Sequence, residues 1–284
     1  MQLNTKNNRE ARLMEDRIRT TITDGVADVR LVRSDKMNAL DDAMFMALLE
    51  TGEKLKSDSA VRAVVISGEG RAFCAGLDMS NFGRMASSES APAKESSVTG
   101  RLAPRTHGIA NRAQYAALVW RDIPVPVIAA VHGVAFGGGF QVALGADMRF
   151  VAPGTRFSVM EIKWGLVPDM AGMFLMKGLA REDIIRDLTY TGRIFEADDA
   201  LAYGFATRLC NDPYAEALSV AREIADKSPS AIRAAKRILN DAPDNDAAAI
   251  LLAESVEQDK LMGGAHQKEA IMANLEKRRP NFGG

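Results

Sequence analysis

The chain has 284 residues, 47% hydrophobic and 26% charged, enough for one large domain or a domain with a smaller appendage. A formal net charge of −1 offers no chain-wide field for nucleic acid, and two cysteines without CxxC spacing, Cys74 and Cys210, exclude a disulfide scaffold and a zinc knuckle. The N-terminal MQLNTKNNREARLMEDR is polar and charged, so the expectation is a cytoplasmic protein with no secretory signal.

In chain order, IRTTITDGVADVRLV reads as a β-hairpin turning at Asp24-Gly25. A helix follows from about 41 to 56, with Asp41 as N-cap and Phe45, Leu48, Leu49, Gly52 and Leu55 on one face. VRAVVISGEG is a short buried strand ending in a glycine turn. Residues 82–112, with MASSESAPAKESSVTG, have little periodicity and read as a mobile surface loop.

The charge-free run 123–146 is long enough to cross a bilayer, but Pro124, Pro126, His132, Gln141 and five glycines interrupt it. It reads instead as a buried strand, PVPVIAAVHG, a turn, and a helix opening FQVALGAD. No membrane partner is expected. MRFVAPGTRFSVM gives two strands around Pro153-Gly154, and beyond about residue 209 the pattern is almost wholly helical. Strands alternating with helices predict an α/β fold with largely parallel sheets, a core over 14–208 and a helical region over 209–284.

Three consecutive glycines in HGVAFGGGFQ (132–141) lie between a buried strand and a helix. Glycines there leave N–H groups open to a ligand, and a helix starting near Gly138 would aim its dipole at an anion or developing oxyanion. Neither GxxxxGK[ST] nor GxGxxG is present. The alternative is close helix–strand packing that requires small residues. A second glycine turn, RAFCAGLDMS (71–80), and two carboxylates eight residues apart, Glu161 and Asp169, complete a set suited to acyl chemistry: two N–H donors for one oxyanion, and a base.

FCAGLD, PVIAAVHGVAFGGGFQVALGADMRF and FSVMEIKWGLVPDMAG, in this order and spacing, resemble the crotonase superfamily (the enoyl-CoA hydratase/isomerase family). The resemblance runs from about Ile18 to the C-terminus and includes KMNAL (36–40) and EKRRPNF (276–282). It implies a crotonase-like spiral of ββα units with a helical C-terminal trimerisation region, assembled as a homotrimer or hexamer. It also implies an acyl-CoA thioester substrate, with CoA part of the substrate and no separate cofactor or metal. By motif match the oxyanion donors are the N–H groups of Leu77 and Gly138. Ala75 and Asp78 match the segment at the adenine end, Lys36 and Arg71 match basic positions near the nucleotide phosphates, and Lys277 matches a lysine that reaches CoA phosphate in the oligomer. A solvated basic C-terminus is the other reading of Lys277.

A hydratase of this family uses two glutamates. The second is kept as Glu161, but the first position holds Gln141, an amide that hydrogen-bonds water or substrate without exchanging a proton near neutral pH. Asp169 stands where dienoyl-CoA isomerases of the family carry a proton-shuttling aspartate, although those also have an aspartate in place of Gln141. In an aryl-CoA dehalogenase that position is the nucleophile, with tryptophan in place of Glu161. The favoured expectation is double-bond isomerisation, with Glu161 as base and Asp169 assisting. The alternatives are hydration by Glu161 with Gln141 or Asp169 holding the water, nucleophilic attack by Asp169, and a non-catalytic acyl-CoA binder. Burial among Val159, Ile162, Leu166 and Val167 is expected to raise the carboxyl pKa. His107, His132, the His266/Glu269 pair and Cys74 carry no convincing site, and Trp164 with Met160, Met170, Met173 and Met176 is expected to pack or to shape an acyl pocket.

Overall fold

The computed structural model describes residues 16–81, 83 and 102–283. Residues 14 and 15 of the expected core, and most of the loop expected over 82–112, lie outside the described residues.

Strands β1 (Ile18–Thr23) and β2 (Val26–Leu31) form the antiparallel hairpin. Asp24 and Gly25 both take positive φ, 51° and 80°, the backbone of a two-residue turn that matches strand twist. β3 (Ala63–Gly68), β4 (Val127–Val131), β6 (Met148–Val151) and β9 (Arg208–Leu209) continue in parallel, giving the order β1-β2-β3-β4-β6-β9. A smaller sheet pairs β5 (Val134–Phe136) with β7 (Arg156–Ser158) in parallel and β7 with β8 (Phe195–Glu196) antiparallel. The two strands around Pro153-Gly154 therefore exist, but they belong to different sheets.

The helices are α1 (Asp42–Ser57), α2 (Arg112–Asp122), α3 (Gly138–Leu144), α4 (Gly172–Met176), α5 (Glu182–Thr191), α6 (Ala197–Tyr203), α7 (Pro213–Ala225), α8 (Pro229–Asp241), α9 (Ala247–Leu261) and α10 (Ala265–Glu276). Asp41 caps α1 by accepting from the Met44 N–H at 2.8 Å, and Phe45, Leu48, Leu49, Gly52 and Leu55 are all buried. A Cβ on Gly52 would stand 2.4 Å from the Val119 side chain, so this glycine lets α1 and α2 cross closely.

β4, and β3 as far as Ile66, are apolar because both faces are covered. Val64, Ile66, Val127 and Ala129 join the core under α1 and α2, while Ala63, Val65, Ile128 and Ala130 meet Ala217, Ala221 and Ala225 of α7. The charge-free run 123–146 is divided among β4, β5 and α3, and no helix among the described residues is long and apolar enough to cross a membrane. Helices dominate after β9, as expected. α9 has no buried residue and exposes Leu251, Leu252 and Val256, and α10 exposes Ile271, Met272 and Leu275.

Asn38, within KMNAL, holds together the turn that leads into the site. It is fully buried in the left-handed region (φ 56°), and its amide nitrogen donates to the carbonyls of Glu69, Ala72 and Phe73 at 3.1, 2.9 and 3.1 Å. Asn38→Ala is expected to cost about 2–3 kcal/mol, because buried carbonyls lose their donor, and urea unfolding checks this.

Candidate active site

Segments following β3, ending β5 and following β7 meet at a cavity of about 400 Å³, whose wall is completed from α1, α2 and the chain before each of them. Leu40, Phe45, Leu102, Phe136, Trp164 and Met170 supply much of its apolar wall. Leu77, Gly138, Glu161 and Asp169 all face it.

The segment leading to Gly76 runs beside β5. The Cys74 N–H donates to the Val134 carbonyl and the Phe136 N–H to the Cys74 carbonyl, both at 3.1 Å, around a parallel Cys74–Ala135 bridge. Three residues beyond that bridge on each chain stand Leu77 and Gly138, so the register places them opposite one another. Neither of their N–H groups has a protein acceptor among the described residues. The turn is pinned on its other side, where the Leu40 N–H donates to the Gly76 carbonyl and the Asp78 N–H to the Leu40 carbonyl, at 2.7 and 3.0 Å.

Two members of the glycine triplet answer distinct steric demands. Gly137 has φ 49°, and a Cβ there would lie 3.2 Å from the Glu161 Oε1. A Cβ on Gly139 would sit 2.4 Å from the Cys74 carbonyl oxygen, which would push α3 away from the Leu77 turn. Close packing thus requires glycine at both positions.

Glu161 opens a 3₁₀ turn, Glu161–Trp164, separated from β7 by Val159 and Met160. Burial raises its carboxyl above the ordinary range and the charge of Asp169 adds to the rise, while its own N–H and the Gln141 amide oppose it. Burial also raises the Asp169 carboxyl, against a smaller opposing effect of its own N–H. A carboxylate moved towards neutrality is a better-matched proton acceptor at neutral pH. The expected burial among Ile162, Leu166 and Val167 needs correction. Those three side chains are exposed at 45%, 41% and 66%, Leu166 on the cavity wall itself, while the Glu161 carboxyl lies against Gly137 and Gln141. Val159 is buried as expected.

Gln141 does not line the cavity. It is 2% exposed, donates from Nε2 to the Glu161 Oε1 at 2.6 Å, and accepts at Oε1 from the N–H groups of Met170 and Gly172 at 2.9 and 2.8 Å. The amide expected to hold water or substrate is thus engaged by protein on both sides.

Ala75 lines the cavity rim, its N–H donating to the Met37 carbonyl at 2.9 Å. Burial alone would raise the Asp78 carboxyl, but hydrogen bonds from the Ser80 hydroxyl and N–H, and from Arg33 at 2.6 Å, hold it at about 2. The Asp78 side chain is a structural anion. Lys36 and Arg71 are exposed on turns beside this segment, and Lys277 is exposed at the end of α10; none of the three lines the cavity.

His107 stacks on Tyr115, with ring centroids 4.7 Å apart, and His132 Nε2 meets the Gly70 carbonyl oxygen at 2.9 Å. His266 contacts Ser230 and the Phe282 carbonyl, while Glu269 is paired with Arg278. Burial pushes the Cys74 thiol up to about 12, which leaves little thiolate. Met160, Trp164 and Met170 shape the cavity, Met176 is in the core, and Met173 is exposed. Residues that sequence reasoning passed over include Arg33, which fixes Asp78, and Leu40, whose backbone brackets the Gly76 turn.

The model of the enoyl-CoA hydratase/isomerase family matches residues 21–284. The chain belongs to this family. It is 33% identical over 215 residues to the mitochondrial Delta(3,5)-Delta(2,4)-dienoyl-CoA isomerase of Mus musculus, covering 74% of this chain and 64% of that protein. The chain thus spans less than two thirds of the length of that isomerase. It is 28% identical to the mitochondrial methylglutaconyl-CoA hydratase of Mus musculus over 267 residues, covering 92% of this chain and 80% of that one. Among solved structures, a putative enoyl-CoA hydratase from Streptomyces coelicolor A3(2) superposes with TM-score 0.82 at 33% identity, covering 94% of each chain. An enoyl-CoA hydratase from Bacillus anthracis gives TM-score 0.82 at 25% identity, covering 93% of this chain and 98% of that one. The crotonase-like α/β fold expected from the motifs is therefore the fold observed. The two mitochondrial relatives, an isomerase and a hydratase, leave the reaction to be argued from the site.

Proposed function

We propose that this family member is an enoyl-CoA isomerase that moves a double bond by one proton transfer on each side of an enolate. The observation that carries the reading is the division of the three polar residues: Glu161 and Asp169 face the cavity, while Gln141 is withdrawn behind them with its amide engaged. A second proton-exchanging glutamate, needed for two-base hydration, is missing from its motif position.

In this reading the Glu161 carboxylate takes a proton from C2 of a 3-enoyl-CoA. The C–H electron pair moves into the thioester carbonyl as an enolate, whose oxygen accepts from the Leu77 and Gly138 N–H groups. The proton returns at C4 as the enolate collapses, leaving the double bond between C2 and C3. Asp169, facing the same cavity, shares the proton with Glu161 or delivers it further along a dienoyl chain. Ala75, Asp78, Lys36 and Arg71 border the CoA moiety, and Lys277 reaches CoA phosphate within a homotrimer or hexamer. The exposed apolar side chains of α9 and α10 support such an assembly.

Ultraviolet absorbance of the conjugated thioester tests the reaction. Conjugation should rise from a 3-enoyl-CoA; silence there, with falling conjugation from a 2-enoyl-CoA, would establish hydration instead.

The wall also bears on the acyl chain. Glu161 and Asp169 are the only ionisable side chains lining the cavity among the described residues. A second carboxylate on the substrate would meet two acidic groups and no cation in this wall. An enoyl-CoA with a neutral chain is expected to exceed one with a terminal carboxylate by about a hundredfold in kcat/KM. Steady-state kinetics on the two substrates measure the ratio, and parity would contradict the assignment.

A further inference from the structure

We propose that Gln141 is a positioning residue, whose single amide holds the Glu161 carboxylate with its nitrogen and the turn carrying Asp169 with its oxygen, fixing the two carboxyl groups relative to one another. The inference deepens the isomerase reading and rests on it for its catalytic meaning.

The orientation of the amide follows from its partners. The Met170 and Gly172 N–H groups are donors only, so the side-chain atom facing both must be the oxygen, and the nitrogen is left to face Glu161. The turn it grips is strained. Ala171 has φ 66°, a left-handed conformation that alanine rarely adopts without outside support. A Cβ on Gly172 would lie 2.6 Å from the Gln141 Oε1, so glycine is what allows the grip.

At the other end of the clamp the two carboxylate oxygens of Glu161 differ. Oε1 is held by Gln141, whereas Oε2 is buried and has no protein partner among the described residues. One oxygen is fixed and the other is left to take the substrate proton. Asp169 faces the same cavity, and its charge adds to the rise of the Glu161 carboxyl. The charges on the adjacent α5 are engaged elsewhere: Glu182 with Arg186, Asp183 with Arg181, and Asp187 with Arg193.

Glutamate at 141 would accept from Met170 and Gly172 equally well. It would, however, turn an acceptor towards the Glu161 Oε1 at a distance where two carboxylates cannot both ionise. Gln141→Glu should therefore impair the base rather than install a second hydration catalyst.

The test compares the full-length wild type with Gln141→Met, which keeps length and loses the amide, and with Gln141→Glu, which keeps both backbone contacts. Kinetics over pH would be read beside a carbon-13 titration of the Glu161 carboxyl, assigned by its disappearance in Glu161→Gln. In both variants kcat is expected to fall about tenfold to a hundredfold, with KM changed much less. The acid limb of the kcat profile should move to higher pH, because the ionised base loses its donor, and the carboxyl titration should move the same way. Should Gln141→Met fail to fold, Gln141→Glu carries the comparison. A kcat within about twofold of wild type, with limb and titration unmoved, overturns the proposal. If no enoyl-CoA is turned over at all, the isomerase reading fails separately, and the carboxyl titration still decides whether Gln141 holds Glu161.

Discussion

Glu161→Gln is expected to lower kcat on a 3-enoyl-CoA by about a thousandfold while leaving acyl-CoA affinity nearly unchanged. Glutamine has the same length, its oxygen still accepts from Gln141, and the Leu77 and Gly138 donors are untouched. What disappears is the capacity to take a proton. Binding of a saturated acyl-CoA, measured by calorimetry, separates this loss from a damaged site. The same variant should gain thermal stability near neutral pH. The folded state raises the Glu161 carboxyl, chiefly through burial, so it binds that proton more tightly than the unfolded chain does. Stability therefore falls as pH climbs from the unfolded value of this carboxyl through its raised folded value, and it stays lower above that window. Glutamine removes this dependence, so the gain in Tm should shrink as pH drops below the ordinary carboxylate range. A variant with full activity would contradict the assignment of the base.

Gly76→Ala tests the other half of the site, the paired N–H groups. Gly76 has φ 86°, and an added Cβ would lie 2.6 Å from the Phe136 carbonyl oxygen and 3.7 Å from the Gly138 nitrogen. To relieve that contact, the Leu77 turn must move away from β5, separating the two donors. Removal of one oxyanion donor typically lowers kcat by about a hundredfold to a thousandfold. Strain at a left-handed position adds a cost of about 1–3 kcal/mol in folding. Both should appear, as a reduced kcat and a reduced Tm, with the Glu161 titration in place. An active Gly76→Ala enzyme with normal kcat would show that these N–H groups do not carry the enolate charge.

The helix at 41–56, the buried strands and the glycine turn were legible because each is encoded locally. A cap and a helical apolar stripe mark α1, and unbroken apolar runs mark β3 and β4. Leu77, Gly138, Glu161 and Asp169 were legible through motifs carried by contiguous residues, and the cavity unites all four. Of the smaller sheet only β7 was legible, within MRFVAPGTRFSVM; β5 and β8, three and two residues long, are too short for a period to show. Nor was the role of Gln141, whose partners lie 20 to 31 residues away and include two backbone N–H groups that leave no trace in side-chain identity. The exposure of Ile162, Leu166 and Val167 was not legible for a related reason: apolar neighbours in sequence need not be neighbours in space.

The most direct test of the central claim is to run the reaction on a 3-enoyl-CoA in oxygen-18 water and weigh the product. Isomerisation by Glu161 within the oxyanion site predicts a 2-enoyl-CoA of unchanged mass that carries no label. No 2-enoyl-CoA from this substrate, with a labelled 3-hydroxyacyl-CoA formed only when a 2-enoyl-CoA is supplied, would show an enzyme that adds water and does not isomerise, and would contradict the account.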